Sequence, residues 1–437
     1  MIVAKFGGSS LADSKQFKKV KDIVLSDSDR HYVIPSAPGK RGAGDDKVTD
    51  LLYACYNANT EGKDCIHLFD RIKERYNEII DELQVDIDLS KDFDIIYRNI
   101  RNGDSKEYVA SRGEYLNGKI LAVYLGFEFV DAAAVIRFAP DGTLLEDETN
   151  NAIAKRLEKT AYAVIPGFYG ADTDGRVRTF SRGGSDVSGA LVARAVDADV
   201  YENWTDVTGY RMTDPRIVPD AQYIDVLTYK ELRELSYMGA GVFHEDAIFP
   251  VRRAGIPTNI RNTNDPKHPG TIIRNNAGAA GLNQVITGIA GHKGFAIISI
   301  EKDMMNAELG FGRRVLQALE EFHINFEHLP TGIDTMCIVV KEEELKAHRE
   351  DVINRINELV HPDQIVIHDH LALIATVGRG MVRAYGTAAR LFTAISARGI
   401  SIRTIDQGSS ELNIIVGVDE ADFEETVKAI YDAFVRI

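Results

Sequence analysis

The sequence predicts an α/β protein, with a large parallel-sheet unit at the front and two copies of a small module behind it. Three observations carry this. The chain opens on IVAKF, a buried-strand pattern, and a glycine turn, a stretch with helical apolar spacing and a second strand pattern, HYVIPSA, follow it. Strand, turn, helix, strand is how a parallel sheet begins. The alternation runs to about residue 285, where the rhythm changes to a short strand, helix, strand order that occurs twice.

In chain order, Leu11, Phe17, Val20, Ile23 and Val24 give SLADSKQFKKVKDIVLS one apolar helical stripe. KILAVYLGFEFVDAA and YAVIPGFYG read as apolar strand segments between helices, and DVSGALVARAVDADVYENWTDV as a helix leading into a strand. HPGTIIR, residues 268–274, marks a domain edge. Behind it GFAIISIEKD, TMCIVV, LALIATVG, ISIRTIDQG and SELNIIVGV read as strands. RRVLQALEEFHI, TAARLFTAISARGI and ADFEETVKAIYDAF read as helices. A repeated module without obvious chemistry points to regulation or assembly. The expected division is a catalytic domain over 1–285 and two small modules over 286–370 and 371–437.

A chain of 437 residues, 44% hydrophobic and 27% charged, is long enough for two or more packed domains. With 51 basic against 66 acidic residues the net charge is -15, which argues against a nucleic-acid or anionic-membrane surface over the whole protein. A local anion pocket stays open. Cys55, Cys65 and Cys337 are too scattered for a disulfide framework or thiolate metal site and read as buried thiols. No secretory pattern and no run of 18 apolar residues is visible, so the cytoplasm is the expected address and no membrane partner is expected.

KFGGSS, residues 5–10, is either a phosphate loop or a tight turn. Two glycines let backbone N–H groups approach a phosphate, the next helix start adds its positive end, and Lys5 adds a point charge. Neither the P-loop nor the G-x-G-x-x-G fingerprint is present, and APGKRG lacks the former's spacing. SRGGSDVSGA, residues 181–190, gathers Arg182, Ser185 and Asp186 before an apolar helix. An arginine can clamp a carboxylate and Asp186 can receive an ammonium, while Ser185 or Asp186 equally suits a helix N-cap. SRGEYLNGK brings Arg112 and Glu114. WTDVTGYRMTDPR brings Thr205, Asp206, Tyr210, Arg211, Asp214 and Arg216, dense for a hairpin loop though compatible with Asx turns. The histidines, among them His67, His244 and His292, show no metal-binding spacing, so no protein-held metal is expected.

Taken together these motifs resemble the aspartate kinase family over nearly the whole chain. KFGGSSLAD is similar to its opening loop, SRGE to its second substrate motif, PGFYGADTDGRVRTFSRGGSD to its substrate signature and WTDVTGYRMTDPR to its nucleotide loop. The C-terminal pair resembles its ACT regulatory modules, SIRTIDQGSSELNI most of all. The resemblance implies an amino-acid kinase three-layer sandwich followed by two ferredoxin-like ACT modules. It implies phosphorylation of the β-carboxylate of L-aspartate by ATP and Mg²⁺, at the head of lysine, threonine and methionine synthesis. Lys5, Gly7, Gly8 and Ser9 would then meet the phosphates, and Thr205, Asp206, Tyr210, Arg211 and Arg216 the nucleotide. Thr49, Glu114, Phe168, Arg182, Ser185 and Asp186 would hold the amino acid, with Lys5, Arg182 and Asp186 catalytic. The acceptor carboxylate is already an anion at neutral pH, so no general base is needed, only positioning and positive charge. Asp186 and Asp206 are the candidates for the magnesium shell.

Two positions depart from the family pattern. Where relatives carry GAKVLHP this chain has GAGVFHED, so Gly241 replaces a phosphate-contacting lysine and Glu245 a proline. Where relatives carry GIYTTDPR it has GYRMTDPR, and Arg211 is expected to move toward the phosphates in the lysine's place. In the first module Met305, Glu308, Gly310, Phe311, Phe326 and Glu327 fall where relatives bind an effector. A carboxylate at Glu327 suits lysine as inhibitor, with threonine second, unless that side chain is merely exposed. The resemblance also implies a homodimer through the modules, or a tetramer. The rival readings are an amino-acid sensor without catalysis, favoured by Gly241, and a kinase for another small carboxylate. The chain ends soon after the second module, leaving no room for an appended homoserine dehydrogenase.

Overall fold

Successive side chains of IVAKF and VYENWT point to opposite faces of the central strands, both of them buried, and the first sheet grows around them. The structure, a computed structural model, describes residues 1–181, 183–241, 245–276, 278 and 284–436. It divides into one unit over Met1–Tyr210, Asp225–Tyr229 and Val242–Ala277, and another over Arg211–Ile224, Lys230–Gly241 and Gly278–Ile437. The expected single cut near 285 therefore misses two earlier segments, 211–224 and 230–241, that belong with the C-terminal modules.

Strand β1 (Ile2–Phe6) does not run straight into a helix. A 3-10 turn over Gly8–Leu11 intervenes, and α1 (Ser14–Leu25) begins where the Asp13 carboxylate accepts the Gln16 N–H at 2.9 Å. The start of α1 is thus capped by Asp13, and the helical turn that directly follows the glycines is the 3-10 turn. Next come β2 (Arg30–Pro35), α2 (Val48–Thr60), α3 (Ile66–Leu83), α4 (Ser90–Arg101) and α5 (Lys106–Leu125). KILAVYL, expected as strand, is the end of α5, because Ile120, Leu121 and Leu125 continue its buried face until Gly126 stops it at φ 73°. Only β3 (Glu128–Phe129) of that run is extended.

The chain continues through β4 (Arg137–Phe138), α6 (Glu146–Leu157), β5 (Ala163–Val164), β6 (Tyr169–Asp172) and β7 (Val177–Thr179). Then come α7 (Gly184–Ala195), β8 (Val200–Thr205), β9 (Val226–Thr228) and α8 (Tyr229–Tyr237). Helix α9 (Phe249–Ala254), β10 (Thr258–Asn262) and β11 (Thr271–Arg274) complete the first unit, whereas α8 beyond Tyr229 belongs to the second. The first unit's main sheet has the order β3-β5-β2-β1-β8-β10-β11-β9, parallel except for β10 with β11. Phe6 and Trp204 face the α1, α2, α3 and α5 core, while α7 packs over β1, β2 and β8 with α6 and α9 beside it. Helices on both faces of a parallel sheet leave its strand C-termini open, and strand order reverses at β1, where such folds bind ligands.

In the second unit lie β12 (Gly288–Glu301), α10 (Phe311–Glu321), β13 (Phe326–His328), β14 (Thr335–Lys341), α11 (Glu342–Lys346) and α12 (Arg349–Val360). They are followed by β15 (Gln364–Val377), α13 (Thr387–Ser396), β16 (Thr404–Asp406), β17 (Asn413–Asp419) and α14 (Phe423–Phe434). One six-stranded sheet, β13-β14-β12-β15-β17-β16, joins them. The 14-residue strands β12 and β15 pair antiparallel along their length, with register shifts around Phe295. Residues 295–301 of β12 pair β14, whereas residues 371–377 of β15 pair β17. The expected cut between 370 and 371 falls inside β15. Among the described residues no helix is long and apolar enough to cross a membrane.

Candidate active site

The glycine turn is built by contact with a second turn. Gly7 N–H donates to the Trp204 carbonyl at 2.9 Å, and Gly39 N–H donates to the Gly8 carbonyl at 2.9 Å. A Cβ on Gly8 would lie 2.9 Å from the Ala37 oxygen, and one on Gly39 2.7 Å from the Gly8 carbonyl carbon. Both glycines are required because backbone meets backbone. A Cβ on Gly7 would instead stand 3.6 Å from Lys5 Nζ, so its absence leaves the space beside the ammonium open. Ser9 is half-buried in the 3-10 turn. APGKRG is thus the partner of KFGGSS, although it carries no fingerprint of its own.

Lys5 and Asn203 stand opposite each other in the β1–β8 register, on the face that α7 covers. Lys5 Nζ lies 2.6 Å from Asp186 Oδ1, and Asn203 Nδ2 donates to the same oxygen at 2.8 Å. All three are buried, with 7, 8 and 3% exposure for Lys5, Asp186 and Asn203. Asp186 Oδ1 is thus shared by Lys5 and Asn203, a pairing the sequence, which offered Asp186 as the receiver of a ligand ammonium, did not show. Nor do Ser185 and Asp186 cap α7: the N-cap is Gly183 at φ 58°, with no side-chain cap. Ser185 is buried in the first turn, where a Cβ on Gly167 would strike it at 2.6 Å. Phe168, next to Gly167, holds φ 79°, a strained value for a non-glycine residue, with its N–H on Ser188 Oγ at 3.0 Å. Arg182, expected to clamp the substrate carboxylate, lies outside the described residues, as does His244.

Glu114 sits on the inner face of α5 with 5% exposure. Burial pushes its carboxyl up to about 8, opposed by the Ala37 and Glu114 backbone N–H groups and the nearby Arg112 charge. Its Oε2 has no hydrogen-bond partner among the described residues. Ala37 belongs to the turn that touches Gly8, so the SRGE and KFGGSS motifs meet through residues 37–39. Arg112 turns away: its guanidinium lies over the rings of Tyr108, Tyr115 and Tyr169 at 4.6, 4.6 and 5.2 Å. Thr49 is half-buried at the start of α2.

At the end of β8, Thr205 is half-buried and Asp206 exposed, joined by a 3.2 Å hydrogen bond from Thr205 Oγ1. The rest of that motif departs from expectation. Tyr210 is 2% exposed, too buried for a nucleotide to reach, because its segment packs on β11 through an N–H to Thr271 Oγ1 at 2.8 Å. Arg211 and Arg216 belong to the second unit. Arg211 donates to the Ala221 carbonyl at 2.9 Å and to Tyr223 Oη at 2.8 Å, over whose ring it lies. Its charge is used inside its own loop, whereas the sequence offered it as a stand-in for the missing lysine. Arg216 is paired with Asp214 at 2.6 Å and its side chain is 89% exposed. Gly241 has open space where a Cβ would point.

Among the effector candidates, Met305 and Phe311 are buried in the core of the six-stranded sheet, with Gly310 at φ 80° preceding α10. Glu308 pairs with Lys302 at 2.5 Å and with Arg314, which hold its carboxyl below the usual range. Phe326 is 47% exposed on the edge strand β13. Glu327 is not merely exposed: its side chain keeps 6% exposure, Lys341 stands 3.9 Å away, and Tyr237 Oη donates to it. Elsewhere in this unit Glu342, His370 and Glu420 present ligand atoms within 4.8 Å of one another, a grouping that histidine spacing did not foretell.

Sequence reasoning missed Asn203 and Gly39. Two adjacent polar residues, Glu202 and Asn203, in a strand buried on both faces were the available signal, since each must find a polar partner. Glu202 finds Arg30, Arg261 and the Trp204 indole on the opposite face.

A buried lysine at a glycine turn, a buried carboxylate with an unpartnered oxygen and a six-stranded C-terminal sheet are the features this chain combines. The amino acid kinase family profile matches residues 1–262, and the ACT domain profile matches residues 374–434. Aspartokinase 3 of Bacillus subtilis is 40% identical, over 99% of this chain and 98% of its own length. The chain belongs to the aspartate kinase family. The crystal structure of the Clostridium acetobutylicum aspartate kinase superposes with a TM-score of 0.92 at 51% identity, covering 99% of each chain. Escherichia coli aspartokinase III in complex with lysine and aspartate follows, at TM-score 0.75 and 25% identity over 100% of this chain and 99% of that one. The aspartate kinase architecture, an amino-acid kinase unit followed by ACT modules, is thus the one the sequence predicts.

Proposed function

We propose that this kinase transfers the γ-phosphoryl group of ATP to the β-carboxylate of L-aspartate, giving 4-phospho-L-aspartate and ADP. Catalysis belongs to the first unit, and the second unit, with its six-stranded sheet, regulates it. The observation that carries the substrate class is Glu114, a buried carboxylate with an unpartnered oxygen, which an amino acid's ammonium satisfies. An aspartate oxygen attacks the γ-phosphorus, the bond to the ADP oxygen breaks, and no proton need move because the acceptor is already ionised. Lys5, beside the open space over Gly7, offers the point charge for the transferred oxygens, and Asp186 fixes its direction. Thr49, Phe168, Arg182 and Ser185 complete the amino-acid pocket, and Gly8, Ser9 and Thr205 the nucleotide side.

The donor set fits a magnesium ion that arrives with the nucleotide: Asp206 is an exposed hard-oxygen ligand, whereas Asp186 already serves Lys5 and Asn203. Such an ion supplies charge neutralisation on the phosphates.

Lysine as inhibitor is supported by the Escherichia coli relative solved with lysine and aspartate, and by Glu327, whose shielded carboxylate suits a cationic side chain. Feedback by lysine places the reaction at the head of the route to lysine, threonine and methionine, in the cytoplasm. Exposed Phe326 on an edge strand favours assembly of two copies through the modules.

The test is ADP release from MgATP with L-aspartate, glutamate or N-acetylglutamate, each with and without lysine or threonine. Aspartate-dependent turnover suppressed by lysine is expected. Preference for another acceptor overturns the substrate assignment. Absence of turnover with saturable lysine binding supports a sensor, with Gly241 as its cause.

A further inference from the structure

We propose that Asn203 is a positioning residue for phosphoryl transfer, holding Asp186 in place while Lys5 leaves it for the phosphate. This rests on the reading that Lys5 and Asp186 serve the transfer step. The geometry is a triangle of buried polar groups. Lys5 and Asn203 project side by side from paired strands, and both reach Asp186 Oδ1, at 2.6 and 2.8 Å. Asn203 Oδ1 stands 3.5 Å from Lys5 Nζ, so the amide lies against both members of the pair.

A buried ion pair carries a problem for catalysis. Lys5 does its work only when its ammonium turns toward a phosphate oxygen, and the carboxylate it turns from then stands in a poorly solvated site. An uncompensated buried charge is costly, and that cost would hold Lys5 back. The Asn203 N–H stays on Asp186 throughout, so the carboxylate keeps a donor when the lysine turns. Being neutral, the amide does this without competing for the phosphate. Aspartate at the same place would add a second anion beside one lysine, and an aliphatic residue would leave Asp186 with Lys5 alone.

Three variants test this alongside Lys5→Met: Asn203→Val, Asn203→Thr and Asn203→Asp. Valine and threonine share shape and suit a strand, and differ by one hydroxyl donor. In Asn203→Val, kcat is expected to fall roughly 10- to 100-fold, with the KM for aspartate within about threefold of wild type. Asn203→Thr should recover a large part of that loss, and Asn203→Asp should be slower than Asn203→Val. A folded Asn203→Val enzyme with kcat within twofold of wild type overturns the proposal. So does equal loss in valine and threonine variants accompanied by equal loss of melting temperature, the mark of a packing role. If the valine variant does not fold, threonine and aspartate decide: comparable kcat in those two overturns it. Full activity in Lys5→Met would instead refute the parent reading, while an inactive Lys5→Met beside an unaffected Asn203→Val refutes the Asn203 role alone.

Discussion

The glycine-turn end of the first sheet and the Lys302–Glu308–Arg314 group of the second unit both collect charged side chains, yet hold them in different ways. At the former, Lys5, Asp186 and Glu114 are each less than a tenth exposed, and neutral amides and backbone N–H groups surround them. At the latter, the side chains of Glu308, Lys302 and Arg314 keep 32, 21 and 24% exposure and pair with one another. Buried charges are stiff, little screened by salt and expensive to strand. Partly exposed pairs exchange partners at small cost. The first arrangement suits a reaction that needs fixed geometry, and the second suits a contact that an effector competes for.

The comparison breaks most sharply if the buried lysine is dispensable. Lys5→Met should lower kcat by about 10²- to 10³-fold, as removal of a charge-stabilising donor does, measured by coupled ADP release on protein of unchanged far-ultraviolet dichroism.

Glu114→Gln should raise the KM for aspartate by roughly 10- to 100-fold with a smaller change in kcat, since a charged hydrogen bond to the ammonium is lost. The same carboxyl sets a pH dependence. Its folded value near 8 lies above the ordinary carboxylate range, so the empty folded site holds a proton that the unfolded chain has released. Ligand-free stability should therefore decline, through this group, as pH rises from the unfolded value toward about 8. Aspartate binding should release that proton over the same window, so affinity weakens by up to about tenfold per pH unit below 8. Calorimetry in buffers of different ionisation enthalpy reads the proton directly, and binding without proton release at pH 7 would contradict the assignment.

In the second unit effects should be smaller. Tyr237 donates to the Glu327 carboxylate that lysine would take, so Tyr237→Phe should lower the half-inhibiting lysine concentration by about three- to tenfold, the worth of one hydrogen bond. Uninhibited kcat should not change, and unaltered inhibition would remove Glu327 from the effector site. Smallest of all, Arg211→Ala should leave kcat within about twofold, because the guanidinium is spent on Ala221 and Tyr223. A large loss there would restore the sequence-based expectation that Arg211 stands in for a missing phosphate lysine.

Much of the first unit was legible because its signals are local. A glycine turn after a buried strand and an apolar stripe in the next segment need no knowledge of partners. What failed needed partners. KILAVYL is apolar enough for a strand or a helix, and only its continuity with the buried face of α5 decides. The Lys5–Asp186–Asn203 group went unseen because nothing local reveals that the β1–β8 register brings Lys5 and Asn203, 198 residues apart, to one oxygen of Asp186. Arg211 looked available in sequence, and Tyr223, twelve residues on, takes it up. Met305 and Phe311 were placed in an effector pocket, whereas their apolar surface is used in the module core.

The long strands β12 and β15 have a practical consequence. Residues 288–293 pair with 372–377, so the chain enters the sheet of its last module before it builds the one that precedes it, and returns afterwards to finish. A protease cutting at residue 370 would sever a strand instead of freeing a domain. Anyone wishing to graft a different feedback response onto this kinase must carry both strands across together, or make the exchange within the span that lies between them, where the ends already sit side by side.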